Sequence, residues 1–195
     1  MDDFNNYEKI RKQLASNNWN LYDYQKKFLD AVNANKYRQY LLSSEIGTGK
    51  TITSFFPFFN KLLNKINTKV IYISPLKSII SILHKRLNEL TESLKINCKI
   101  EKRTGDESYT LKKKQLLKIP DIILTTPESL TLTIANSDAS LLLEDADYII
   151  IDELNEFIDS KRADQLALTL SRINAINKKF LLFALSATVV NKKSL

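Results

Sequence analysis

At 195 residues, with 44% hydrophobic and 26% charged positions, the chain has the bulk for one domain with a full core. It has neither the composition of a disordered segment nor an apolar run long enough to span a bilayer. One cysteine (Cys98) excludes an internal disulfide, one histidine (His84) excludes a His/Cys zinc cluster, and no charged start leads into an apolar signal segment. The expectation is a cytoplasmic protein in a reducing compartment, with no membrane segment, no disulfide partner and no metal beyond one arriving with a ligand. An excess of 29 Lys and Arg over 22 Asp and Glu gives +7, which suits a polyanionic partner and equally a basic, solubilising surface.

In chain order, a helical stretch over 22–35 precedes a first apolar run at 40–44. Further β-branched or apolar runs follow at 69–74, 98–103, 121–126, 147–152 and 180–186. Several are apolar at consecutive positions, as strands buried on both faces are. Between them lie helical stripes, Leu83, Leu87, Leu90 and Leu94 in one segment and Leu166, Leu170 and Ile173 in another. This alternation predicts one α/β domain built on a mostly parallel β-sheet flanked by helices. Polar segments follow the strand ends: SSEIGTGKT, SPLKS, RTGD, TTPES, DELN and SAT. Open parallel sheets bind ligands beyond the carboxyl ends of their strands, so all six segments are expected on one edge.

The loop 44–51 carries the end of the phosphate-binding pattern G-x-x-x-x-G-K-[ST] in Gly49, Lys50 and Thr51, but opens on Ser44 instead of glycine. Two of only three glycines, Gly47 and Gly49, fall in this loop, where ordinary usage would be about 7% of all residues. Backbone N–H groups at a helix start can cradle phosphate oxygens, Lys50 can neutralise the β/γ-phosphates, and the Thr51 hydroxyl can ligate Mg²⁺. Asp152 and Glu153 end the apolar run YIII, where adjacent acids need a balancing cation or donors. Asp152 is placed to hold Mg²⁺ through water, and Glu153 to orient and deprotonate an attacking water. Gln25 could read an adenine edge with Trp19 and Tyr22 nearby, although an exposed glutamine on a helix fits the spacing better. SPLKS, RTGD and TTPES offer hydroxyls, helix-start N–H groups, Lys77 and Arg103 to phosphates; Ser78, Asp106 and Glu128 serve equally well as ordinary helix caps. The run LKKKQLLK at 111–118 reads as a solvated helix face.

From about Trp19 to Val189, the ordered set Gln25, GTGKT, SPLKS, RTGD, TTPESL, DELN and SAT resembles the first RecA-like motor domain of superfamily 2 helicases. YISPLKS, DIILTTPESL and IIIDELNEFIDSKRADQLALTLSRI resemble most the large helicase-related (Lhr) branch. The resemblance implies a RecA-like P-loop NTPase domain over the whole chain, with a helical extension over 1–18. It implies ATP and Mg²⁺ as cofactors, with Gln25, Ser44, Gly47, Thr48, Gly49, Lys50 and Thr51 around the nucleotide and Lys50, Asp152 and Glu153 in catalysis. Ser44 is a small residue of the kind this superfamily often places where the pattern has glycine.

The same resemblance lays Pro75, Lys77, Thr104, Gly105 and Thr126 along a nucleic-acid track, with DNA ahead of RNA, and gives Asn155, Ser186 and Thr188 the coupling of hydrolysis to strand movement. Two departures stand out. Asn155 occupies the fourth position of a D-E-x-H motif, where it can hydrogen-bond but cannot titrate. No second RecA-like domain with its arginine finger follows SATVVNKKSL, so the chain is expected to be the N-terminal motor domain of a longer helicase, with little turnover alone. A restriction-type translocase, an RNA helicase, a P-loop kinase and a non-catalytic nucleotide-binding module remain as alternatives.

Overall fold

The computed structural model describes residues 7–136, 141–158 and 161–187. Six strands form one all-parallel sheet: β1 (Gln39–Ser43), β2 (Val70–Ile73), β3 (Ile100–Arg103), β4 (Ile122–Thr125), β5 (Tyr148–Ile151) and β6 (Leu181–Ser186). They lie in the order β1-β6-β5-β2-β4-β3. Every residue of β2, β4 and β5 is buried, which accounts for their unbroken apolar sequence. Five of the six fall within the runs read as strands, and β1 begins one residue before its run, at Gln39. The helices are α1 (Glu8–Ser16), α2 (Asp23–Asn33), α3 (Lys50–Ser54), α4 (Phe56–Leu63), α5 (Lys77–Ser93), α6 (Tyr109–Leu117), α7 (Pro127–Ile134), α8 (Leu141–Glu144) and α9 (Lys161–Ile176). None among the described residues is long and apolar enough to cross a membrane.

Alternation along the strands divides the core in two. Tyr72, Tyr148, Ile150 and Phe183 pack on one face with Leu83, Leu87, Leu90 and Leu94 and with Phe55, Phe56, Phe58 and Phe59. Ile71, Ile73, Ile149 and Ile151 pack on the other with Leu166, Ile173 and Phe157. The four phenylalanines are fully buried around Pro57, which sits in the first turn of α4, where the missing N–H costs no helix bond. In α1, within the stretch read as an extension, Ile10 and Leu14 are fully buried in the first cluster, and the Ile10 N–H donates to Asn60 Oδ1 of α4 at 3.4 Å.

Register brings the chemistry to one edge. Ile151 of β5 pairs with Ile73 of β2, Ile73 with Thr125 of β4, and Thr125 with Arg103 of β3. On the other side Ile151 pairs with Ala184, so β6 runs two residues further, to Ser186 opposite Ser43. Loops 44–49, 74–76, 104–108 and 152–153 therefore leave from a single row of strand ends.

Candidate nucleotide site and strand edge

The loop from β1 into α3 owes its shape to two glycines. Gly47 and Gly49 have φ of +83° and +88°, the left-handed region that side chains avoid. Ser44 is not among the positive-φ residues, which explains why the opening position takes a residue with a Cβ. Its hydroxyl also spans the loop: Ser44 Oγ lies 2.7 Å from Thr48 Oγ1, which donates to Glu45 O at 2.8 Å. Lys50 is buried, and its ammonium donates to Ser44 O at 2.5 Å and Glu45 O at 2.7 Å. An incoming phosphate would replace these two carbonyls with oxygens that carry charge.

Asp152, just beyond β5 and 5% exposed, is the junction of the site. Its Oδ2 accepts from Thr51 Oγ1 at 3.0 Å and from the hydroxyl of Tyr72 on β2, and its Oδ1 accepts from the Glu153 N–H at 2.9 Å. Glu153 has φ 50° and ψ 52°, a strained conformation for a residue with a side chain. Burial, then the neighbouring Asp152 charge, hold its carboxyl above the usual range against the opposing pull of Lys50. Lys50, Thr51, Asp152 and Glu153 line one concavity of about 190 Å³, which Arg86 of α5 also lines. Ser186 is buried and its Oγ donates to Asn155 Oδ1 at a long 3.4 Å. Thr188 lies outside the described residues.

Gln25 does not stand exposed, as its spacing suggested; it is 1% exposed. Its Oε1 accepts from the Tyr22 N–H at 2.9 Å as a capping box, and its Nε2 donates to Thr53 Oγ1 at 2.6 Å. The amide thus ties α2 to α3 behind the loop, with Nε2 3.4 Å from the position a Cβ on Gly49 would take. Trp19 packs edge-on to Phe56. Exposed Tyr22 instead stacks on Tyr24, whose hydroxyl donates to Thr48 O at 2.6 Å.

Further along the edge, Pro75, Thr104 and Thr126 are buried, whereas Lys77 and Gly105 face solvent. Lys77 pairs with Asp106 at 2.6 Å, and joins the SPLKS and RTGD segments. Helix capping falls to Ser108, which accepts from the Leu111 N–H, and to Thr126, which accepts from the Ser129 N–H, rather than to Ser78, Asp106 or Glu128.

Residues 22–194 match the family model described as DEAD/DEAH box helicase, and the chain belongs to that family. Within it, the chain is 38% identical over 164 residues to the ATP-dependent helicase Lhr-Core of Saccharolobus solfataricus, covering 76% of this chain and 19% of that protein. It is 29% identical over 157 residues to the Lhr helicase/uracil glycosylase of Escherichia coli, covering 70% of this chain and 10% of the relative. The chain spans about one fifth of the length of the Lhr-Core relatives it matches. Its fold is that of the Mycobacterium smegmatis helicase Lhr, solved with ssDNA and AMP-PNP: the TM-score is 0.84 at 24% identity, over 96% of this chain and 25% of that one. It is also that of Mss116p, solved with ssRNA and AMP-PNP, with a TM-score of 0.78 at 19% identity, over 97% of this chain and 39% of that one.

Tyr72 was not legible from the sequence, where it reads as one more apolar strand residue; its hydroxyl meets Asp152 only because β2 and β5 are neighbours. Tyr72→Phe keeps the ring against Phe55 and removes one donor from a buried carboxylate. The expected loss is about 1–3 kcal/mol of unfolding free energy in urea titration. Glu153→Gln has a signed pH dependence. A raised folded pKa means that ionising Glu153 weakens the folded state above its unfolded pKa, so the glutamine variant melts higher than the parent at pH 7. That advantage disappears as the pH falls below the unfolded pKa, where the parent is protonated in both states. Thermal melts across pH in EDTA read the difference.

Proposed function

We propose that the chain is the ATP-binding first motor domain of a nucleic-acid helicase or translocase of the Lhr type, acting in the cytoplasm. The observation that carries this reading is the meeting of the two halves of a nucleotide site: Thr51 and Asp152, 101 residues apart, lie 3.0 Å from each other beside Lys50 and Glu153. The N–H groups at Gly47, Thr48 and Gly49 and the Lys50 ammonium take the phosphates, with Ser44 bracing the loop. Adenine recognition by Gln25 requires its present bonds to Tyr22 and Thr53 to be exchanged.

Among the described residues no group of three or more His, Cys, Asp or Glu could hold a metal. A hydroxyl and a carboxylate side by side fit Mg²⁺ arriving with the nucleotide, because this ion keeps several waters and uses few protein ligands. Thr51 and Asp152 would hold it, and it would supply neutralisation of charge on the phosphates. Glu153 orients the attacking water and takes its proton, a task its raised pKa suits. Asn155, Ser186 and Thr188 relay the state of the site to a second RecA-like domain, which contributes an arginine to the transition state.

A single strand, DNA ahead of RNA, runs over the edge at Lys77 and Gly105. Pro75, Thr104 and Thr126 shape the backbone there from below. The ssDNA and AMP-PNP held by the Mycobacterium relative support this reading.

Calorimetric titration with Mg-ATP, followed by turnover assays with and without ssDNA and ssRNA, tests it. The chain is expected to bind ATP, and Lys50→Ala to weaken that binding about 10–100-fold, as loss of a charge-assisted contact would. Turnover is expected to stay near background until a second motor domain is supplied. Equal ATP affinity in the parent and Lys50→Ala would contradict the assignment.

A further inference from the structure

Where β3 ends, the Arg103 side chain enters the space between α6 and α7 and is 8% exposed. Its Nε donates to Thr133 Oγ1 at 3.1 Å, and its Nη1 to Lys112 O at 3.0 Å and Gln115 Oε1 at 2.9 Å. All three acceptors are neutral. Among the described residues Arg103 has no carboxylate partner, and its Nη2 has no acceptor. Burial lowers its pKa. Leaving a guanidinium so placed is costly unless an anion completes it.

Arg103 lines a cleft of about 280 Å³, with Gly105 at its rim. Lys112 and Lys113 also line it, and among the described residues no carboxylate does. Neither lysine forms an ion pair among the described residues. Tyr109 and Leu132 add an apolar wall; they are 80% and 74% exposed, an unusual solvation for two large side chains that face one cleft. A fork with an open donor, two free ammonium groups and an exposed aromatic ring form a set that recognises a phosphate and an attached planar base. A cleft of this size has room for one nucleotide. The cleft is also continuous with the edge: the position of a Cβ on Gly105 is 3.5 Å from Lys77 Nζ.

We infer that this α6–α7 cleft receives one nucleotide of the single strand that crosses the edge at Gly105. Its phosphate lies on Arg103 Nη2 and the two lysines, and its base against Tyr109 and Leu132. The inference rests on the nucleic-acid reading above and adds to it a binding site away from the loops themselves.

Fluorescence anisotropy of fluorescein-labelled dT12 and U12 with the 195-residue chain, over a range of salt concentrations, tests it. Lys77→Ala reports on the edge itself. Tyr109→Ala and the double variant Lys112→Gln/Lys113→Gln report on the cleft. These cleft residues are on the surface, so unchanged melting curves verify folding, and Arg103→Lys keeps the buried charge while removing the fork. Tyr109→Ala is expected to weaken binding about tenfold. The double lysine variant is expected to reduce the slope of log K against log salt by about 1.4, two single-strand phosphate contacts at about 0.7 each, an effect that a merely structural role would not produce. The dT12 and U12 arms show which strand is preferred. If Lys77→Ala loses affinity while all cleft variants bind like the parent, the cleft inference is wrong and the edge reading stands. If the chain binds neither oligonucleotide, both fall. A poly-glutamate peptide that binds and is lost with the two lysines, while oligonucleotide binding is unaffected, would overturn the inference in favour of an acidic protein partner.

Discussion

The hydrogen bond from Thr51 to Asp152 is the contact on which the arrangement of the site depends. It joins the first turn of α3 to the end of β5 across 101 residues of chain, and so ties the glycine loop to the acidic strand end. Asp152 is nearly enclosed, and a buried carboxylate is stable only if its lone pairs are met. Here Thr51, Tyr72 and the Glu153 backbone supply three donors, each from a different segment. The register of the parallel sheet makes this possible. Were β5 to end one residue earlier relative to β2, the carboxylate would point to the opposite face and lose both side-chain donors.

Around this junction the other charged groups sit in arrangements that a ligand can exchange. Lys50 rests on two carbonyls of its own loop, bonds weaker than those it would make to phosphate. Glu153 is held in a strained backbone conformation with a carboxyl reluctant to ionise. Among the described residues, Arg103 is buried against neutral oxygens. By contrast, the hydroxyls of Thr125 and Thr126 are engaged in joining β4 to β3 and starting α7, so the exposed chemistry of the strand edge concentrates at Lys77, Gly105 and the α6–α7 cleft.

Much of this is legible in the sequence. Runs such as VIYI, IILT and YIII read as strands buried on both faces, and Gly47 and Gly49 mark a loop that needs positive φ. What stayed hidden depends on which strands are neighbours. Alternation of strands and helices does not reveal the order β1-β6-β5-β2-β4-β3, and without it Tyr72 is an aromatic in a strand rather than a donor to Asp152. Side-chain direction was equally out of reach. Helical spacing allowed Gln25 to point outward, but the capping box at Tyr22 and the hydroxyl of Thr53 turn it inward. The lysines of 111–118 read as a solvated face because nothing in the sequence reveals that Arg103 lies buried next to them.

If the Thr51 hydroxyl and the Asp152 carboxylate act as one unit in holding a nucleotide and its cation, their losses are coupled. A double-mutant cycle measured by calorimetry addresses this coupling directly, comparing Mg-ATP affinity in the parent, Thr51→Ala, Asp152→Asn and the double variant. Strong non-additivity is expected, with the double variant binding no more weakly than the worse of the two single variants. Losses that simply add would contradict it, because the two residues would then contribute independently.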